Sequence, residues 1–425
     1  MERIAIVNGV RTPFCKMGTS FNDLSAQELG RIACRELIDR TALDVKVIDE
    51  VILGCVAQPP DAANLARVVG LLAGVPITTP AYTVHRNCAS GIESVVSAAL
   101  KIKAGEARCI LAGGTESMSN IPFYFRKDTQ EIFGALQRAK TPLAKIGTML
   151  QFRPHHFTPR IGLMMGLTDP ACGLGMGQTA EVLAKEFGIT RREQDEFALA
   201  SHQKAIAARH VLRQEIVSVI PAPKYREVVM DDNGPREGQT MEALGKLKAV
   251  FDRIGGTVAA GNASQITDGA AAVLVMSESR AKELGYEPLG FIRSFAFAGV
   301  EPRRMGIGPA HAIPIALKKA GLKLSDMQAI ELNEAFAVQV IACMKALASP
   351  QFAKQYGYEG YTGAIDPTIL NVNGGAVALG HPVGTTGARL ILTLLKHLKR
   401  SNLNIGLASL CIGGGQGAAI ILERS

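Results

Sequence analysis

Short runs of apolar, mostly β-branched residues alternate along the chain with longer stretches in which Ala and Leu recur at helical spacing. The first pattern predicts buried strands, and the second predicts helices that cover a sheet. The predicted strands are residues 4–7, 50–54, 109–113, 272–276, 329–332 and 418–422. The predicted helices are residues 29–43, 91–104, 191–209, 313–320 and 387–400. This alternation indicates an α/β fold.

Two places have the spacing of a capping box, in which side chains three residues apart satisfy each other's backbone N–H groups. Thr190 with Glu193 is one pair, and Ser325 with Gln328 is the other. We therefore expect helices to begin at both places.

The predicted elements occur twice in the same order, which indicates an internal repeat. In each half a helix and a strand are followed by a second short strand, a turn with a reactive side chain, another helix and a glycine-rich strand end. The second strands are residues 82–84 and 370–372. Any α/β chain can show such an order by chance, but the polar residues at the matching turns favour a repeat. Two halves packed face to face would bring together Cys88, Asn333, His381 and Cys411.

The repeat predicts three parts. The N-terminal half comprises residues 1–116 and 251–284, and the C-terminal half comprises residues 285–425. Residues 117–250 form a loop domain between them, with a basic amphipathic insertion at 121–160.

This insertion holds seven basic residues against two acidic ones, a net charge of +5, and five of the fifteen phenylalanines. Apolar residues recur at near-helical spacing between 131 and 150, although Pro142 must break or kink a helix there. A solvated loop is the alternative, but it would not carry so many aromatic side chains. A basic amphipathic segment fits an anionic membrane surface or a partner subunit, so we expect a docking element outside the catalytic core.

Composition and charge exclude several classes of protein. A chain of 425 residues is too long for one core and indicates two or three domains. The net charge of +8 fits anionic ligands, but we find no zinc-finger spacing, aromatic RNA-binding motif or long Lys/Arg run, so nucleic acid is disfavoured. None of the eight cysteines forms a Cys-x-x-Cys pair, and we expect no metal site.

The first residues lead directly into an apolar strand pattern, and no run of about twenty apolar residues follows anywhere. We therefore expect no signal peptide, no membrane span, reduced thiols and a cytoplasmic location, with peripheral membrane contact left open.

Cys88 is the first candidate for chemistry. It lies in residues 85–91, His-Arg-Asn-Cys-Ala-Ser-Gly, before a predicted helix. Asn87 has the character of an N-cap, and the free N–H groups and dipole of a helix start favour a thiolate. A buried structural cysteine is the commoner alternative.

His381 and Cys411 are the second and third candidates. His381 stands between Gly380 and Pro382 in a fixed turn, where it can act as a general base or simply cap a carbonyl. Cys411 precedes three glycines whose bare N–H groups can form an oxyanion hole. No Lys-Ser or Lys-Thr follows these glycines, which excludes a P-loop. Asn333, after strand 329–332, is suited to hold a water or an oxyanion.

Together these segments resemble the thiolase family. Residues 85–91 look like its nucleophile segment, and residues 333–337, Asn-Glu-Ala-Phe-Ala, look like its Asn-Glu-Ala-Phe block. Gly-His-Pro at 380–382 and Cys-Ile-Gly-Gly-Gly at 411–415 look like two further signatures, and 261–264 with 267–270 gives a fifth match. The motifs are in family order over essentially the whole chain. The resemblance implies duplicated α/β halves packed face to face, with an inserted loop domain.

The resemblance also implies a reaction, in which CoA cleaves a 3-ketoacyl-CoA into acetyl-CoA and a shortened acyl-CoA, as in fatty-acid β-oxidation. His381 would take the proton of Cys88, whose thiolate attacks the 3-keto carbon. Cys411 would protonate the acetyl-CoA enolate and then deprotonate the incoming CoA. Asn333, through a water, and His381 would stabilise the enolate oxygen. The N–H groups of Cys88 and Gly413 would stabilise the oxygen on the acyl-enzyme side.

CoA would be a substrate and product, and no metal or redox cofactor is needed. By the resemblance, Ser264 lies near the pantetheine arm and Arg236 near the adenine end. Met176 and Met305 line the thioester pocket, although methionine is more often plain core. Phe336 is a further expected CoA contact. The implied partners are a second or further copies in a homodimer or homotetramer and a hydratase/dehydrogenase subunit.

Three other functions compete. An acetoacetyl-CoA thiolase running condensation uses the same groups, and the long insertion favours cleavage over it. A decarboxylating condensing enzyme of the same superfamily would have His or Asn where this chain has Cys411. A non-catalytic acyl-CoA-binding scaffold would lack at least one of the four groups.

The chain departs from the common family pattern at three places: Gln265, His311 and the length of residues 122–168. We expect none of these departures to touch Cys88, Asn333, His381 or Cys411.

Overall fold

The computed structural model describes residues 2–424. Across these residues the strands are β1 Ile4–Arg11, β2 Cys15–Lys16, β3 Glu50–Gly54, β4 Ala81–Val84, β5 Cys109–Glu116, β6 Phe123–Tyr124, β7 Arg160–Ile161, β8 Thr267–Ser277, β9 Gly290–Gly299, β10 Ala329–Leu332, β11 Ile405–Ile412 and β12 Gln416–Glu423. The α-helices are α1 Ala26–Thr41, α2 Leu65–Leu72, α3 Ser90–Lys103, α4 Lys127–Arg138, α5 Pro142–Met149, α6 Gly162–Gly166, α7 Met176–Glu186, α8 Arg191–Ala207, α9 Arg209–Leu212, α10 Met241–Gly245, α11 Glu278–Glu283, α12 Gly308–Ala320, α13 Ala337–Leu347, α14 Pro350–Tyr356, α15 Ala376–Leu379 and α16 Val383–Arg400. Short 3₁₀ helices span Val45–Val47, Met118–Asn120, Pro154–Phe157, Pro302–Ile307 and Leu324–Asp326.

The main sheet follows the order β10-β11-β12-β9-β1-β8-β5-β3-β4, and β2 pairs with β8. In its N-terminal half β3 is parallel to β4 and β5, and β8 runs antiparallel to β5 and β1. In its C-terminal half β10 is parallel to β11, and β12 runs antiparallel to β11 and β9. Among residues 2–424, the two halves of the sheet pair with each other only through β1 and β9, at two residue pairs. The sheet therefore consists of two half-sheets with a narrow junction.

Alternate side chains of each half-sheet enter different apolar cores, as the twofold period of a strand requires. Ile52 and Val273 of the first half, and Leu410 and Ile420 of the second, pack in one core with α3 and α16. The opposite face of the first half packs on α1 and α2. The opposite face of the second packs on α7, α12 and α13. Helices α3 and α16 thus form the central layer between the half-sheets, which confirms the α/β fold with halves packed face to face.

The six main predicted strands, the short strand at 82–84 and the five predicted helices occur, most with longer or shifted bounds, and two other predictions are wrong. Residues 370–372 form no strand, because Leu370 makes only a single bridge to Ile330 and Asn371 has a left-handed φ of 44°. Ser325 starts no capping box, since it lies inside a 3₁₀ helix. The Gln328 side chain instead accepts the N–H groups of Asn404 and Ile405.

The other capping box is present. Thr190 Oγ1 accepts the N–H of Glu193 at 3.2 Å, and the Glu193 carboxylate accepts the N–H of Thr190 at 2.6 Å. Predicted helix 191–209 nevertheless ends at Ala207, and α9 follows as a separate turn.

Residues 121–168 form a compact unit of their own, distinct from the unit of residues 1–120 and 169–425. It contains the β6–β7 pair and helices α4, α5 and α6. Pro142 is the first residue of α5, so it separates two helices as expected. No helix within residues 2–424 is both long and apolar enough to cross a membrane.

Candidate active site

The first turns of α3 and α16 meet backbone to backbone through two glycines. A Cβ on Gly91 would lie 2.5 Å from the Ala388 nitrogen, and one on Gly387 would lie 2.4 Å from the Ile92 nitrogen. Neither distance is tolerable for a real side chain, so glycine is required at both positions. Because Cys88 precedes α3 and His381 precedes α16, this contact places the two turns side by side.

The Cys88 turn is fixed by its own polar groups. Asn87 has a left-handed φ of 42°, and its Nδ2 donates to the carbonyl oxygen of Gly413 at 2.7 Å. Ser90 Oγ accepts the N–H of Arg86 and donates to the Asn87 carbonyl oxygen. Asn87 is therefore not the N-cap that the sequence indicated: α3 begins at Ser90, and Ala89 is its N-cap. The Asn87 side chain instead ties the nucleophile turn to the glycine loop after Cys411.

The ionisation of Cys88 differs from the expectation of a stabilised thiolate. The side chain is half-buried, and burial raises the pKa of its thiol, with the Glu116 carboxylate adding to the rise. The N–H groups of Gly413 and of Cys88 itself donate to the sulfur and oppose that rise. The effect of burial on the pKa is the larger one, so Cys88 is a neutral thiol near neutral pH and needs a base to become a nucleophile. The two N–H groups already point at the sulfur, the atom that attacks the substrate.

His381 is a neutral base with a defined tautomer. Burial, with a smaller contribution from the Arg389 cation, lowers the pKa of His381 to about 4. Its Nδ1 lies 2.6 Å from Thr386 Oγ1, and the Thr386 hydroxyl donates its single proton to the Pro382 carbonyl oxygen. The hydroxyl oxygen must then accept from Nδ1–H, which leaves Nε2 unprotonated and able to act as an acceptor. Nδ2 of Asn333 donates to Nε2 in a long hydrogen bond of 3.5 Å.

Asn333 stands at the end of β10, where its N–H donates to Ser409 of the neighbouring β11. The side chain is fully buried. Within residues 2–424 its Oδ1 has no hydrogen-bond partner. Buried amide oxygens almost always accept a hydrogen bond, so this atom is suited to a water between Asn333 and a substrate.

Cys411 lies near the end of β11 and is fully buried. Burial raises the pKa of its thiol well above the usual range, and the nearby thiols of Cys88 and Cys343 add to the rise. A thiol of this kind holds its proton until it meets a strong base such as an enolate. Gly414 and Gly415, with φ of 87° and 80°, then turn the chain into β12. A side chain at Gly415 would meet the Val300 oxygen at 2.3 Å.

Four of the five residues predicted to contact CoA lie in or beside the apolar core of the C-terminal half. Met176 begins α7, and its sulfur would lie 3.3 Å from a Cβ at Gly413. Met305 is buried in the same core as Cys411. Phe336 bridges to Ala263 and meets Phe251 edge to face at 6.2 Å.

Ser264, the fourth of these residues, donates its N–H to the Ala335 carbonyl oxygen. Arg236, the fifth, lies apart on the surface, where its N–H donates to His202. Contact of all five with CoA remains a prediction.

The sequence reasoning missed two residues of the site, Thr386 and Glu116. Thr386, five positions after His381, directly precedes the predicted helix 387–400 and was not singled out. Glu116 is almost fully buried, and its carboxylate accepts N–H groups from Gly384 at 2.7 Å and Ala57 at 2.9 Å. It thereby ties the first half to the loop of His381. The sequence did hold a signal that could have identified Glu116, namely an acidic residue at the end of an otherwise apolar strand.

The side chain of Gln265, one of the departures from the family pattern, donates to the Gly234 carbonyl oxygen at 3.2 Å. Its backbone carbonyl oxygen, which any residue would supply, accepts the His381 N–H at 3.3 Å, a hydrogen that Thr267 Oγ1 shares at 3.1 Å. The ring of His311, a second departure, lies among Phe352, Tyr356 and Tyr358, with Nδ1 3.2 Å from the Tyr358 hydroxyl.

Among residues 2–424, one group of His and carboxylate side chains is close enough to hold a metal ion: Asp128, His155 and His156. His156 Nδ1 accepts the Arg153 N–H at 2.9 Å, so in neutral His156 the proton is on Nε2, the atom that faces Asp128. That nitrogen is not free to bind a metal, and we assign the group no metal role.

Comparisons with known proteins agree with this geometry. Residues 4–279 match the family "Thiolase, N-terminal domain", and residues 286–424 match "Thiolase, C-terminal domain". The 3-ketoacyl-CoA thiolase of Pectobacterium carotovorum is 41% identical, over 99% of this chain and 97% of that protein. The 3-ketoacyl-CoA thiolase of Aliivibrio fischeri is 42% identical, over 99% and 96%.

Solved structures give the same picture. The Bacillus anthracis acetyl-CoA acetyltransferase superposes with a TM-score of 0.86 at 37% identity, over 100% of this chain and 99% of that one. Human mitochondrial 3-ketoacyl-CoA thiolase in complex with CoA superposes with a TM-score of 0.85 at 36% identity, over 100% and 98%. This chain belongs to the thiolase family, and it is an acyltransferase.

Proposed function

We propose that this protein is a 3-ketoacyl-CoA thiolase, which uses CoA to cleave a 3-ketoacyl-CoA into acetyl-CoA and an acyl-CoA two carbons shorter. The observation that supports the proposal is that His381, neutral and unprotonated at Nε2, and the neutral thiol of Cys88 stand on turns held side by side by the contact of α3 with α16. A second buried thiol, Cys411, supplies the acid that the carbon–carbon step requires.

In the first half-reaction the Cys88 proton passes to His381 Nε2, and the sulfur attacks carbon 3 of the substrate. The N–H groups of Cys88 and Gly413, which already donate toward the sulfur, stabilise the resulting alkoxide. The alkoxide collapses and the bond between carbons 2 and 3 breaks. The acyl group stays on Cys88, and the electron pair leaves with the acetyl-CoA enolate.

Cys411 then donates its proton to carbon 2 of the enolate, which releases acetyl-CoA. The enolate oxygen is stabilised during this step by His381 and by a water that Asn333 holds. In the second half-reaction the Cys411 thiolate takes the proton of an incoming CoA thiol. The CoA sulfur attacks the acyl group, and Cys88 leaves and recovers its proton from His381.

Condensation of two acetyl-CoA molecules is the second candidate, because the Bacillus anthracis acetyl-CoA acetyltransferase superposes as well as the human thiolase does. The same four groups serve both directions. Steady-state rates with C4 and C16 3-ketoacyl-CoA, measured in both directions, separate the two functions. Cleavage of the C16 substrate at a rate comparable with C4 supports the degradative role, and condensation alone overturns it.

The chemistry itself is tested by quenching the enzyme in acid during turnover and mapping the acyl group by mass spectrometry. We expect the acyl group on Cys88 alone. Cys88→Ala should abolish acyl transfer, because the covalent route is gone. An acyl group found on Cys411 and absent from Cys88 overturns the assignment.

We also propose that the protein forms a homodimer or homotetramer. β4 ends the strand order and pairs with β3 alone among the described residues, and all four of its residues are half-buried. An edge strand of this kind offers unpaired N–H and C=O groups to a second copy. Cys88 follows β4 by four residues, so such pairing would also support the nucleophile turn. Light scattering during size-exclusion chromatography measures the assembly, and a monomer at micromolar concentration refutes it.

Two further proposals rest on the family resemblance: a cytoplasmic location and a hydratase/dehydrogenase partner subunit. Co-purification from the native host, followed by a hydratase assay on the isolated complex, tests the partner. Thiolase recovered free of hydratase activity contradicts it.

A further inference from the structure

Two pairs of groups must be held in place in the active site: Cys88 with His381, and His381 with Asn333. The glycine contact between α3 and α16 fixes the first pair. It does not fix the second, because Asn333 follows β10, the strand at one edge of the main sheet. The N–H of Asn333 donates to Ser409 within the same sheet and so does not fix the strand against the helix. A further contact must hold the end of β10 against α16.

A buried ion pair joins α16 to β10 beside the site. Arg389 Nη1 donates to Glu331 Oε2 at 2.7 Å, and the two side chains are 0% and 3% exposed. Arg389 follows Thr386, the partner of His381, by three residues, so the two lie on one face of α16. Glu331 precedes Asn333 by two residues, and the period of a strand places both on one face. The ion pair thus links the segment of His381 to the segment of Asn333.

The neighbours of Glu331 in β10 show which face this is. Ala329 packs in the core that contains α3 and α16, whereas Ile330 and Leu332 pack in the opposite core with α12 and α13. Glu331 alternates with Ile330 and Leu332, so it points into the central layer. The buried hydrophobic residues of that layer are all Ala, Ile, Leu or Val, and an ion pair is unusual among them.

Stability does not account for this pair. Burial, together with two nearby carboxylates, raises the pKa of Glu331 to about 7, and the Arg389 cation opposes the rise. Of the three guanidinium nitrogens of Arg389, Nε and Nη2 have no hydrogen-bond partner within residues 2–424. Apolar side chains of similar volume are often equally or more stable in the place of a buried ion pair. The presence of the pair therefore points to a role other than stability.

We propose that Arg389 and Glu331 are positioning residues for the carbon–carbon step, and that their ion pair holds the end of β10 against α16 so that Asn333 and His381 form one oxyanion site. The inference rests on the proposed function, in which this site stabilises the acetyl-CoA enolate. The pair acts through His381 and Asn333 and makes no contact with the reacting atoms. Loss of the pair should let Asn333 move away from His381, while the α3–α16 contact keeps Cys88 in place.

Two exchange reactions report on the two placements separately. Acyl exchange between an acyl-CoA and free CoA uses Cys88 with His381 and forms no enolate. Solvent proton exchange at the α-carbon of acetyl-CoA forms the enolate and therefore needs His381 together with Asn333. A displacement of about 1 Å in an active site can slow a reaction about 100-fold. The ion pair should therefore affect proton exchange far more than acyl exchange.

The main variant replaces both members of the pair, Arg389→Met/Glu331→Leu, so that no unpaired charge is left in the core. We expect a melting temperature at or above that of the wild type, acyl exchange within about threefold of the wild type, and proton exchange about 100-fold slower. Glu331→Gln and Arg389→Lys are milder, because each keeps a weaker hydrogen bond across the same gap. Each should slow proton exchange about tenfold and leave acyl exchange unchanged.

Thr393→Val is the matched control. Thr393 lies one turn beyond Arg389 on α16, is 2% exposed and donates to Glu215 at 3.0 Å. In the described part of the chain it makes no hydrogen bond with His381 or Asn333. Its replacement removes a buried polar group from the same helix face without touching the oxyanion site, so both exchange rates should stay at the wild-type level.

Several results would overturn the proposal. One is a folded double variant that exchanges α-protons at the wild-type rate. Another is a double variant that loses both exchange reactions equally, which would make the pair a general support of the fold. If the double variant does not fold, the single variants decide: wild-type proton exchange in both, or loss of the fold in both, rejects a positioning role. A wild-type enzyme that exchanges neither acyl groups nor α-protons would instead refute the proposed function itself.

Discussion

Replacing Thr386 with Val should slow acyl transfer without disturbing the fold, because valine keeps the shape of threonine and removes its hydroxyl. Thr386 is fully buried and holds Nδ1 of His381 at 2.6 Å. Without that acceptor, nothing in the described structure fixes the proton on Nδ1. The Nε2 lone pair that must receive the Cys88 proton is then no longer guaranteed.

The size of the effect follows from what His381 becomes during the reaction. Once Nε2 takes the proton, the ring is cationic, and the Nδ1–H bond to Thr386 becomes charge-assisted. Hydrogen bonds of charged groups contribute about 1.5–3 kcal/mol. Since about 1.4 kcal/mol is a factor of ten in rate, Thr386→Val should slow acylation roughly 10- to 100-fold.

The assay is the single-turnover acylation rate of Cys88 with a short 3-ketoacyl-CoA, together with the melting temperature. Thr385→Val is the matched control, because Thr385 is equally buried and its hydroxyl donates to the Gly269 oxygen and makes no hydrogen bond with His381 in the described structure. Thr386→Ser keeps the hydroxyl and should restore most of the rate. A wild-type acylation rate in Thr386→Val, or an equal loss in Thr385→Val, would refute the role of Thr386.

Three further outcomes follow from the site. Because the pKa of His381 is lowered to about 4, the base stays neutral as pH falls, and kcat/KM should show no inflection near pH 6.5; such an inflection would contradict the burial of His381. Because the pKa of Cys88 is raised, its alkylation by iodoacetamide should still accelerate above pH 9, whereas a plateau by pH 7 would indicate a stabilised thiolate. Cys411→Ala should stop solvent proton exchange at the α-carbon of acetyl-CoA more than acyl exchange onto Cys88, and wild-type proton exchange in this variant would remove Cys411 from its role. Gly91→Ala should cost at least about 1–3 kcal/mol of stability by overpacking, seen as a lower melting temperature, while Gly245→Ala, with open space around it, should not.

Several features of this protein were readable from the chain alone. Apolar runs of period two and stretches of helical period identified the strands and helices of both halves, because burial on a sheet or helix face imposes those periods locally. Cys88 and His381 were recognisable because each stands at a turn with glycine or other small neighbours, Cys411 because three glycines follow it closely, and Asn333 because it follows a predicted strand. Their order is one that the thiolase family shares. The charge and aromatic content of residues 121–160 are likewise properties of composition.

Only the tertiary structure decided how these groups behave. Whether Cys88 is a thiolate depends on burial and on two N–H groups, one of them from Gly413, 325 residues away in sequence. The tautomer of His381 depends on the Thr386 hydroxyl, which donates its own proton to the Pro382 carbonyl oxygen and therefore accepts from His381. The sequence around Asn87 indicates a helix cap, but in the fold its side chain donates to the Gly413 carbonyl oxygen instead. Local patterns record what each segment buries, whereas ionisation and hydrogen-bond direction depend on atoms that only folding brings together.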